Sequence, residues 1–534
     1  MTSPPQKKPD LDSLVRLCTA QQMRRLDENA IHNEGIPGRK LMENAAMAVV
    51  HAMDDIIKGK IEKSDSEGRG FPGLVTVCCG AGNNGGDGYA LARLLTQQGW
   101  QVQAVSLGKP TTDDAKANQL DWESLGPTYP YPSEKATRAL EDAAVIVDAL
   151  FGTGLTRELS GDALSLVSEM NASPAPWKVG VDIPSGICAD TGRQLGGAVQ
   201  CTHTVTFQLG KIGLFQPPGS TLAGEVSIMP ISIPVLWENE DPQTYLLDSE
   251  FIRSLLPVRP ASGHKGTFGH VLTLCGSAGM GGAALLASKA ALKSGAGLVT
   301  AGVPKCLRDG FLAAAPELMT LSTPEAEKGA EIHERGNVAF YLQAAATRSA
   351  IVLGCGLGQA ETTREFTRGI VQELDKPLVI DADGLNLLDI QGLKSRIFPT
   401  VITPHPGELA RLAGLTIEEI NGDRIQFARK FAQEWNVIIV LKGSGTVIAE
   451  PNSRVYINPT GDEGLASGGT GDVLAGMIGG LLAQGLTPLD AALVGVYWHG
   501  LSRDCLKDIL TAQWFTASDL IDGMNDALLL LQEM

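Results

Sequence analysis

The sequence predicts an α/β protein with two layered domains, and three observations support this fold class. Short runs of Val, Ile and Leu recur along the chain and end in glycine or aspartate, with helical patterns between them. Such nearly continuous apolar runs are typical of strands that are buried on both faces of a parallel sheet. Glycine accounts for 62 of the 534 residues and is concentrated at the ends of these runs. A chain of this length is too long for one compact core.

In the first domain, three apolar runs are predicted strands: GLVTVCCGAG (73–82), AVIVDALFGTG (144–154) and VGVDIPSG (179–186). The segment DGYALARLLTQQGW (87–100) follows the first run and has a helical pattern. The order strand, helix, strand predicts an α/β layered domain that binds ligands at the carboxyl ends of its strands. We assign residues 1–235 to this domain.

A change of pattern separates the two domains. The stretch ISIPVLWENEDPQTYLLDSE carries two prolines, several acidic residues and no clear period, so we interpret Met229 to Pro257 as the link. The alternation of strands and turns then restarts. Further strands are predicted within HVLTLCGSAGMGGA (270–283), AIVLGCGLG (350–358), PLVIDADGLN (377–386) and VIIVLKGSGT (437–446). They predict a second α/β domain over residues 245–534.

Composition limits the class of partner and the compartment. With 43 basic and 60 acidic residues the net charge is −17, which argues against nucleic acid as the main partner. The nine cysteines form no CxxC pair and are predicted to be buried thiols in a reducing compartment. No secretory signal and no run of about 18 apolar residues is visible, so we expect a soluble cytoplasmic protein with no membrane partner. The oligomeric state stays open, with a homo-oligomer among the alternatives.

Polar loops end three predicted strands of the first domain. GAGNNGGDG (80–88) follows a strand and opens a helix, so its free amides face a ligand or an anion; the alternative is a glycine-rich turn with an Asx cap. Asp148 and Asp182 end two further strands, where each could instead cap the next turn. Since neighbouring strand ends meet at one edge of a sheet, a carboxylate, an amide oxygen of the Asn83-Asn84 loop and the Ser185 hydroxyl can coordinate a hard cation there.

Lys211 is the one basic residue in the apolar, glycine-containing segment FQLGKIGLF (207–215). Burial of this amine would lower its pKa toward an acid/base role. The alternative is a surface lysine whose stem covers apolar neighbours while the ammonium stays in water.

Three loops of the second domain carry residues suited to phosphoryl transfer. SGGTGDVLAG (467–476) is a glycine turn that enters a helix, so its amides can stabilise a transferring phosphoryl group, and Asp472 is either a general base or an N-cap. LKGSGT (441–446) can cradle a nucleotide phosphate but lacks the Walker A spacing. In TPHPGE (403–408), prolines on both sides of His405 favour a ligand-facing role over that of a structural hydrogen-bond partner.

The motifs NNGGDG, VDALFGTGLTRE, VDIPSG and GKIGL resemble those of the NAD(P)H-hydrate epimerases over about residues 15 to 230. The resemblance implies a Rossmann-like three-layer αβα domain that interconverts the R and S forms of hydrated NADH and NADPH. It implies that a potassium ion is held by Asn84, Asp148 and Ser185, and that Lys211 and Asp182 are candidates for acid/base chemistry at C6 of the ring. The implied substrate contacts are Asn83, Asn84, Gly85, Gly86, Asp87, Gly152, Thr153, Gly154, Leu155, Thr156, Arg157, Glu158 and Asp182.

The motifs GSAGMGGA, LGCGLG, VIDADGLN, TPHPGE, LKGSGT and SGGTGD resemble those of the ADP-dependent NAD(P)H-hydrate dehydratases over about residues 250 to 530. The resemblance implies a ribokinase-like αβα domain; GTGD replaces the commoner GAGD and changes only a small side chain. Substrate contacts are implied for Ala283, Gly356, His405 and Asp472. Binding of the adenine nucleotide is implied for Lys442, Gly443, Ser444, Gly445, Thr446 and Gly471.

The implied reaction uses ADP to remove a poor leaving group. ADP phosphorylates the C6 hydroxyl of the S hydrate, with Asp472 as base and magnesium on the diphosphate, and loss of phosphate then restores NAD(P)H and leaves AMP. The choice of ADP over ATP comes from the resemblance alone. The enzymatic alternative is a ribokinase-like kinase that releases a phosphorylated small molecule, and the alternative for the first domain is a binding scaffold.

Overall fold

The computed structural model describes residues 11–58, 73–234, 243–323 and 335–533. The chain forms two compact units, Val15–Thr244 and Met1–Leu14 with Tyr245–Met534. This division differs from the predicted one at the start of the chain, where residues 1–235 were assigned to one domain. Leu14 is only 4% exposed and packs in the core of the second unit. Burial of this leucine is the physical reason for the difference.

The first unit is built on a seven-stranded parallel sheet. The sheet consists of β2 (Leu74–Cys79), β3 (Gln101–Ser106), β4 (Thr128–Pro130), β5 (Val145–Ala149), β6 (Trp177–Val181), β7 (His203–Phe207) and β9 (Glu225–Met229). Two further strands of the unit, β1 (Val15–Cys18) and β8 (Gly210–Lys211), are not part of this sheet. Its helices are α1 (Ala20–His32), α2 (Gly38–Met53), α3 (Asn83–Gln97), α4 (Asp113–Glu123), α5 (Glu134–Glu141), α6 (Asp162–Ala172) and α7 (Gly219–Leu222). The strand order is β4-β3-β2-β5-β6-β7-β9, and β1 pairs with β8.

Helices cover both faces of this sheet. Val77 and Cys79 of β2 pack in one apolar cluster with residues of α1 to α3, whereas Cys78 packs in another with residues of α5 and α6. Alternation of neighbouring side chains between two cores is what a three-layer αβα arrangement requires. The predicted strands and α/β class are therefore confirmed. Helix α3 begins at Asn83, four residues before the predicted helical pattern, because the NNGG turn is itself helical.

The second unit has a larger mixed sheet. Its strands are β10 (Thr244–Leu246), β11 (His270–Leu274), β12 (Leu298–Gly302), β13 (Met319–Leu321), β14 (Ala350–Leu353), β15 (Leu378–Ile380), β16 (Thr400–Ile402), β17 (Ile438–Leu441), β18 (Val447–Ala449) and β19 (Val455–Ile457). The order is β13-β12-β11-β14-β15-β16-β17-β18-β19. Pairing is parallel up to β17 and antiparallel in the hairpins that join β17, β18 and β19.

The helices of the second unit surround this sheet. They are α8 (Ser249–Leu255), α9 (Gly281–Lys293), α10 (Arg308–Ala314), α11 (Val338–Ala345), α12 (Glu361–Glu373), α13 (Asp383–Leu387), α14 (Ile390–Lys394), α15 (Pro406–Ala413), α16 (Ile417–Gly422), α17 (Arg424–Trp435), α18 (Thr470–Ala483), α19 (Pro488–Asp504) and α20 (Ala517–Glu533). Helix α18 is almost wholly buried. A Cβ on Gly476 would lie 2.1 Å from the Ala287 carbonyl oxygen, so glycine there lets α18 approach α9 closely.

The predicted link is wrong in its second half. Residues 244–255 form strand β10 and helix α8, whose N-cap Asp248 accepts a hydrogen bond from the Phe251 amide at 2.8 Å. Phe251 and Ile252 are buried, so this segment belongs to the core. This segment has too few apolar residues at helical spacing for a helical period to be recognised in the sequence. Residues 235–242 lie outside the described part.

The nine cysteines are all free, and six of them are buried, as predicted. Cys188 and Cys505 are half-buried, and Cys306 is exposed, which corrects the expectation of burial at these positions. In the described parts of the chain, no helix combines the length and apolar character needed to cross a membrane.

Candidate functional sites

The first candidate site begins at the amino end of α3. Gly82 is the N-cap and no side chain caps the helix, so the alternative of an Asx cap is wrong. The buried Asn84 has no hydrogen-bond partner for its Nδ2 atom among the described residues. A Cβ on Gly85 would lie 1.8 Å from the Gly80 carbonyl oxygen, so Gly85 serves the turn itself. A Cβ on Gly86 would lie 3.0 Å from the Cβ of Ala115, so Gly86 also packs closely in the fold.

Asp148 and Ser185 form a buried network at the ends of β5 and β6. Ser185 donates to the Asp148 carboxylate twice, through its hydroxyl at 2.6 Å and its amide at 2.7 Å. The Leu150 amide donates to Asp148 at 3.2 Å, and the Phe151 amide donates to the Ser185 hydroxyl at 2.9 Å. Burial raises the pKa of Asp148 to about 6 in spite of these bonds. The predicted convergence of the two strand ends is present.

Asp182 and Lys211 form an ion pair beside this network. Lys211 is completely buried, which rules out a surface lysine, and its Nζ lies 2.5 Å from Asp182 Oδ1. Lys211 also donates to Thr206 Oγ1 at 3.0 Å and to the Phe207 carbonyl at 2.9 Å. Asp182 has a φ of +69°, a backbone conformation that non-glycine residues rarely adopt and that tends to occur at functional sites. The pair fixes the carboxylate at the carboxyl edge of the sheet.

These side chains line a cavity of about 780 Å³ within the first unit. The predicted residues that line it are Asn83, Asn84, Asp87, Gly152, Thr153, Gly154, Leu155, Thr156, Arg157, Asp182 and Lys211. Gly85, Gly86 and Glu158 are not part of its lining. Asp148 and Ser185 are not part of it either, although Leu150 and Phe151, whose amides donate to them, are. The two glycines pack into the fold, and Glu158 is exposed. A volume of this size suits a ligand much larger than one ring.

Sequence reasoning missed the wall that α1 contributes to this cavity. Met23, Asp27 and Ile31 recur every four residues on one face of the helix and all line the cavity, as do Arg24 and Glu28. The sequence signal for this wall is the spacing of Asp27, which lies four residues from Met23 and four from Ile31 and therefore shares a helix face with these two apolar residues.

Two carboxyl groups of the cavity hold their protons more firmly than usual. Burial raises the pKa of Asp87 well above its ordinary value, and Asp182 and Asp27 raise it further. Burial also raises the pKa of Asp27 to about 6, with Lys211 acting in the opposite direction. The cavity therefore combines two carboxyl groups whose pKa values are raised by burial and a fixed ion pair.

The second candidate site begins at the amino end of α18. Gly469, with a φ of +94°, is the N-cap, so Asp472 lies inside the first turn and the N-cap alternative is wrong. Burial and the nearby Asp381 raise the pKa of Asp472 to about 6, while a hydrogen bond from Cys355 lowers it. Ligand atoms of Cys355, Asp381 and Asp472 lie within 4.8 Å of one another. The carboxylate therefore stands next to the free amides of a helix amino terminus.

Lys442 brings a positive charge to the same place. Its Nζ lies 2.6 Å from Asp381 Oδ1 and 4.0 Å from Glu408 Oε2. Burial alone would lower the pKa of Lys442, but the two carboxylates raise it above its usual value. A Cβ on Gly471 would lie 3.3 Å from this Nζ and 3.7 Å from Asp381 Oδ2. The Lys442 ammonium and the Gly471 backbone thus approach one point, although 29 positions separate them.

The loop after β17 is exposed, and hydrogen bonds from Arg424 hold its backbone. Arg424 donates to the Ser444 carbonyl at 2.6 Å and to the Leu441 carbonyl at 3.1 Å. Gly443 and Gly445 have φ values of +138° and +58°, which the tight turn requires. The Thr446 hydroxyl donates to the Gly443 carbonyl at 2.8 Å. The loop therefore keeps a fixed shape while its surface stays open to a ligand.

His405 is the N-cap of α15, and its Nδ1 accepts hydrogen bonds from the amides of Gly407 and Glu408 at 3.0 and 3.3 Å. The structural role is therefore present; the side chain is 57% exposed, and its Nε2 lies 3.6 Å from Glu408 Oε1. In a separate contact of this unit, a Cβ on Gly356 would lie 2.9 Å from the Ala283 Cβ. Ala283 and Gly356 thus form one small-residue surface.

Comparisons with known proteins agree with this division into two sites. A family model described as NAD(P)H-hydrate dehydratase matches residues 271–524, and one described as YjeF-related protein N-terminus matches residues 38–213. The bifunctional NAD(P)H-hydrate repair enzyme Nnr of Moorella thermoacetica is 39% identical over 527 residues, or 97% of each chain. The enzyme of the same name from Escherichia coli is 36% identical over 453 residues, or 84% of each chain.

A solved structure resembles the second unit. It is the ADP/ATP-dependent NAD(P)H-hydrate dehydratase of Bacillus subtilis, co-crystallised with ATP and Mg²⁺, and it is 34% identical with a TM-score of 0.47. The match covers 53% of this chain and 97% of the Bacillus chain.

Proposed function

This chain belongs to the family of bifunctional NAD(P)H-hydrate repair enzymes, and we propose that its two units divide the repair between them. The unit Val15–Thr244 epimerises the R and S forms of hydrated NADH and NADPH. The unit that contains Tyr245–Met534 dehydrates the S form to NAD(P)H with ADP and releases AMP and phosphate. The observation that carries this proposal is the meeting of Asp472, Lys442 and Gly471 at the amino end of α18.

The epimerase chemistry takes place in the 780 Å³ cavity. The hydrated nucleotide contacts the Asn83–Asp87 turn and the loop from Gly152 to Arg157, where free amides at the start of α3 suit its phosphates. Asp182 faces C6 of the ring as an acid/base group, and Lys211 holds that carboxylate in place. The ion pair fixes the orientation of the Asp182 carboxylate.

A potassium ion at Asn84, Asp148 and Ser185 belongs to this proposal. Asp148 is 1% exposed and accepts three hydrogen bonds, but among the described residues no Lys or Arg forms an ion pair with its carboxylate. The Nδ2 atom of Asn84 makes no hydrogen bond there, so the amide is free to turn its oxygen toward a cation. Oxygen ligands from an amide, a hydroxyl and a carboxylate suit a hard cation. Bound potassium supplies the compensating charge that fixes the loops behind the cavity.

The dehydratase chemistry is a phosphoryl transfer followed by elimination. Asp472 takes the proton of the C6 hydroxyl as that oxygen attacks the β-phosphorus of ADP, and the bond to AMP breaks. The Gly471 amide and the Lys442 ammonium balance the charge on the phosphoryl oxygens. The C6–O bond then breaks with loss of phosphate and of a ring proton, which restores the double bond of NAD(P)H.

The remaining predicted residues hold the two substrates. Ala283 and Gly356 offer a flat small-residue surface for the nicotinamide ring, and His405 presents its exposed edge to the hydrate. The Lys442–Thr446 loop binds the adenine nucleotide.

Magnesium belongs on the diphosphate of ADP. In the described chain, the Cys355, Asp381 and Asp472 cluster brings three ligand atoms together, but Lys442 already neutralises Asp381. The diphosphate oxygens are therefore the better ligands for this ion, whose charge offsets that of the transferring group.

The nine free cysteines support a reducing compartment, and we place the protein in the cytoplasm.

The test of the dehydratase half is its product. The purified S hydrate with ADP and Mg²⁺ should yield one reduced nicotinamide, one AMP and one phosphate for each turnover, with no reaction when ADP is left out. Accumulation of a stable phosphorylated substrate would instead establish the kinase alternative.

A further inference from the structure

The ion pair in the epimerase cavity leaves one free oxygen for proton transfer. The three N–H bonds of the Lys211 ammonium point to Asp182, Thr206 and the Phe207 carbonyl. Asp182 Oδ1 accepts from both Lys211 and Thr206, at 2.5 and 3.1 Å. Since an ammonium has three donors, Lys211 has none left for a substrate, and only Oδ2 of Asp182 remains.

Epimerisation at C6 needs one proton delivered and one removed; this inference rests on the proposed epimerase function. The C6 hydroxyl takes up a proton and leaves as water while the N1 lone pair forms a C6=N1 double bond. Water then adds to the other face of C6 and gives up a proton. Nothing is oxidised or reduced. Two acid/base groups perform these transfers more readily than one.

Asp27 is placed to be the second group. It lies on α1, a different element from the loop that carries Asp182, and lines the same cavity as Lys211 and Asp182. Its carboxyl is half-buried, and the described residues provide it with neither a hydrogen bond nor an ion pair. A half-buried carboxyl without partners costs free energy unless a ligand satisfies it.

The charges around Asp27 favour proton exchange near neutral pH. Burial raises its pKa to about 6, Lys211 lowers it, and Asp182 and Glu28 raise it. Burial raises the pKa of Asp87 well above its ordinary value and raises the pKa of Cys18 to about 12. The other charged residues that line this cavity are Arg24 and Glu28 of α1, Asp114 of α4 and Arg157. Asp27 is thus a carboxyl group of the cavity with a pKa of about 6, which suits it to exchange a proton near neutral pH.

We propose that Asp27 is a second catalytic acid/base group of the epimerase site. It exchanges one proton with the C6 hydroxyl or the incoming water, and Asp182 exchanges the other.

Asp27→Asn is the direct test, and Glu34→Gln is the matched control. Both variants replace one carboxylate by an amide, but Glu34 lies just beyond the end of α1, is exposed and does not line the cavity. Exchange between purified R and S hydrates is followed by chromatography without ADP. For Asp27→Asn we expect kcat to fall at least 100-fold with KM within about threefold of the wild type, and for Glu34→Gln we expect kcat within about twofold.

Asp27→Glu separates a catalytic role from a structural one. It keeps the carboxyl on a longer arm, so kcat should recover at least about tenfold over that of Asp27→Asn. Wild-type exchange in Asp27→Asn overturns the inference, and so does equal loss in the Asn and Glu variants. Absence of exchange in the wild type would instead overturn the proposed epimerase function, which keeps the two failures distinct.

Discussion

Three effects together set the pKa of the Asp472 carboxyl group. Burial and the Asp381 carboxylate raise its pKa to about 6, and the Cys355 thiol lowers it. A group with this pKa is ionised at neutral pH but is a stronger base than an exposed aspartate. The free amides at the start of α18 and the Lys442 ammonium lie beside it, where charge develops on the phosphoryl group.

Asp472→Asn should keep nucleotide binding and lose turnover by about 100-fold to 10,000-fold, because the base is removed and the anion-binding groups stay. Asp508→Asn is the control, since Asp508 is exposed. Calorimetric titration with ADP and the recovery of reduced-nicotinamide absorbance measure the two properties. In the wild type, turnover should fall about tenfold per pH unit below about pH 6, since Asp472 must be ionised to accept the proton. Full activity in Asp472→Asn would contradict its role as base.

Potassium should raise the melting temperature of the protein, because it offsets the buried charge of Asp148. We expect a rise of several degrees on replacing sodium by potassium at constant ionic strength, and none in Asp148→Asn. Asp142→Asn, at an exposed position directly after α5 and three residues before β5, should respond like the wild type. Equal melting temperatures of the wild type in the two salts would contradict the potassium site.

For single residues, the sequence predicts which side chains are unusual in their surroundings but not which of them are in contact. Asp182 and Lys211 could be chosen from the sequence because each stands out in an apolar run. Their ion pair, and the pairing of Asp381 with Lys442, could not, because 28 and 60 residues lie between the partners and nothing local records which side chains meet. Asp27 was missed because one carboxyl on a mostly polar helix has the pattern of an ordinary solvent-exposed acid.

At the scale of elements, the glycine turn before α18 decides whether phosphate can reach the helix amides. The Lys442 ammonium would lie 3.3 Å from a Cβ on Gly471, whereas Gly468 has open space around it. Gly471 and Gly468 therefore provide a test position and a matched control position within one turn.

Gly471→Ala should lower kcat/KM for ADP about 10-fold to 100-fold, because the added methyl displaces Lys442 and covers the amides. The melting temperature should stay within a few degrees of the wild type, since the methyl points to the ligand side. Gly468→Ala is the control and should keep wild-type kinetics. Equal kinetics for both variants would show that the turn does not contact the transferring phosphate.

The sequence predicts strands and helices correctly where one pattern of apolar residues continues over enough positions to be recognised. Parallel strands such as β5 and β17 are continuous apolar runs, and their ends in Asp or Gly gave the site loops. The short strand β10 and helix α8 were missed because their period is too brief to detect beside the prolines of the link. The capping role of His405 was left open since proline on both sides is compatible with a cap and with a ligand contact.

The whole molecule carries two complete sets of polar groups, one in each unit. The first set lines a cavity formed by residues of Val15–Thr244 alone, and the second is formed by residues of Tyr245–Met534 alone. Both substrate epimers diffuse freely, so we expect no obligatory channel between the sites.

A mixture of Asp182→Asn and Asp472→Asn proteins tests this independence. Each variant lacks one activity, so the mixture at equal site concentration should repair the R hydrate within about twofold of the wild-type rate. Rates come from the recovery of reduced-nicotinamide absorbance. A wild type that markedly outpaces the mixture would show transfer between the sites of one chain.

The most direct measurement of the central claim is the extent of repair of an equal mixture of R and S hydrated NADH. With ADP and Mg²⁺, the wild type should convert both epimers to NADH and form one AMP for each, whereas Asp182→Asn should pause after the S half. Without ADP, neither protein should form NADH. A wild type that also pauses at half conversion, or that forms NADH without ADP, would contradict the bifunctional account.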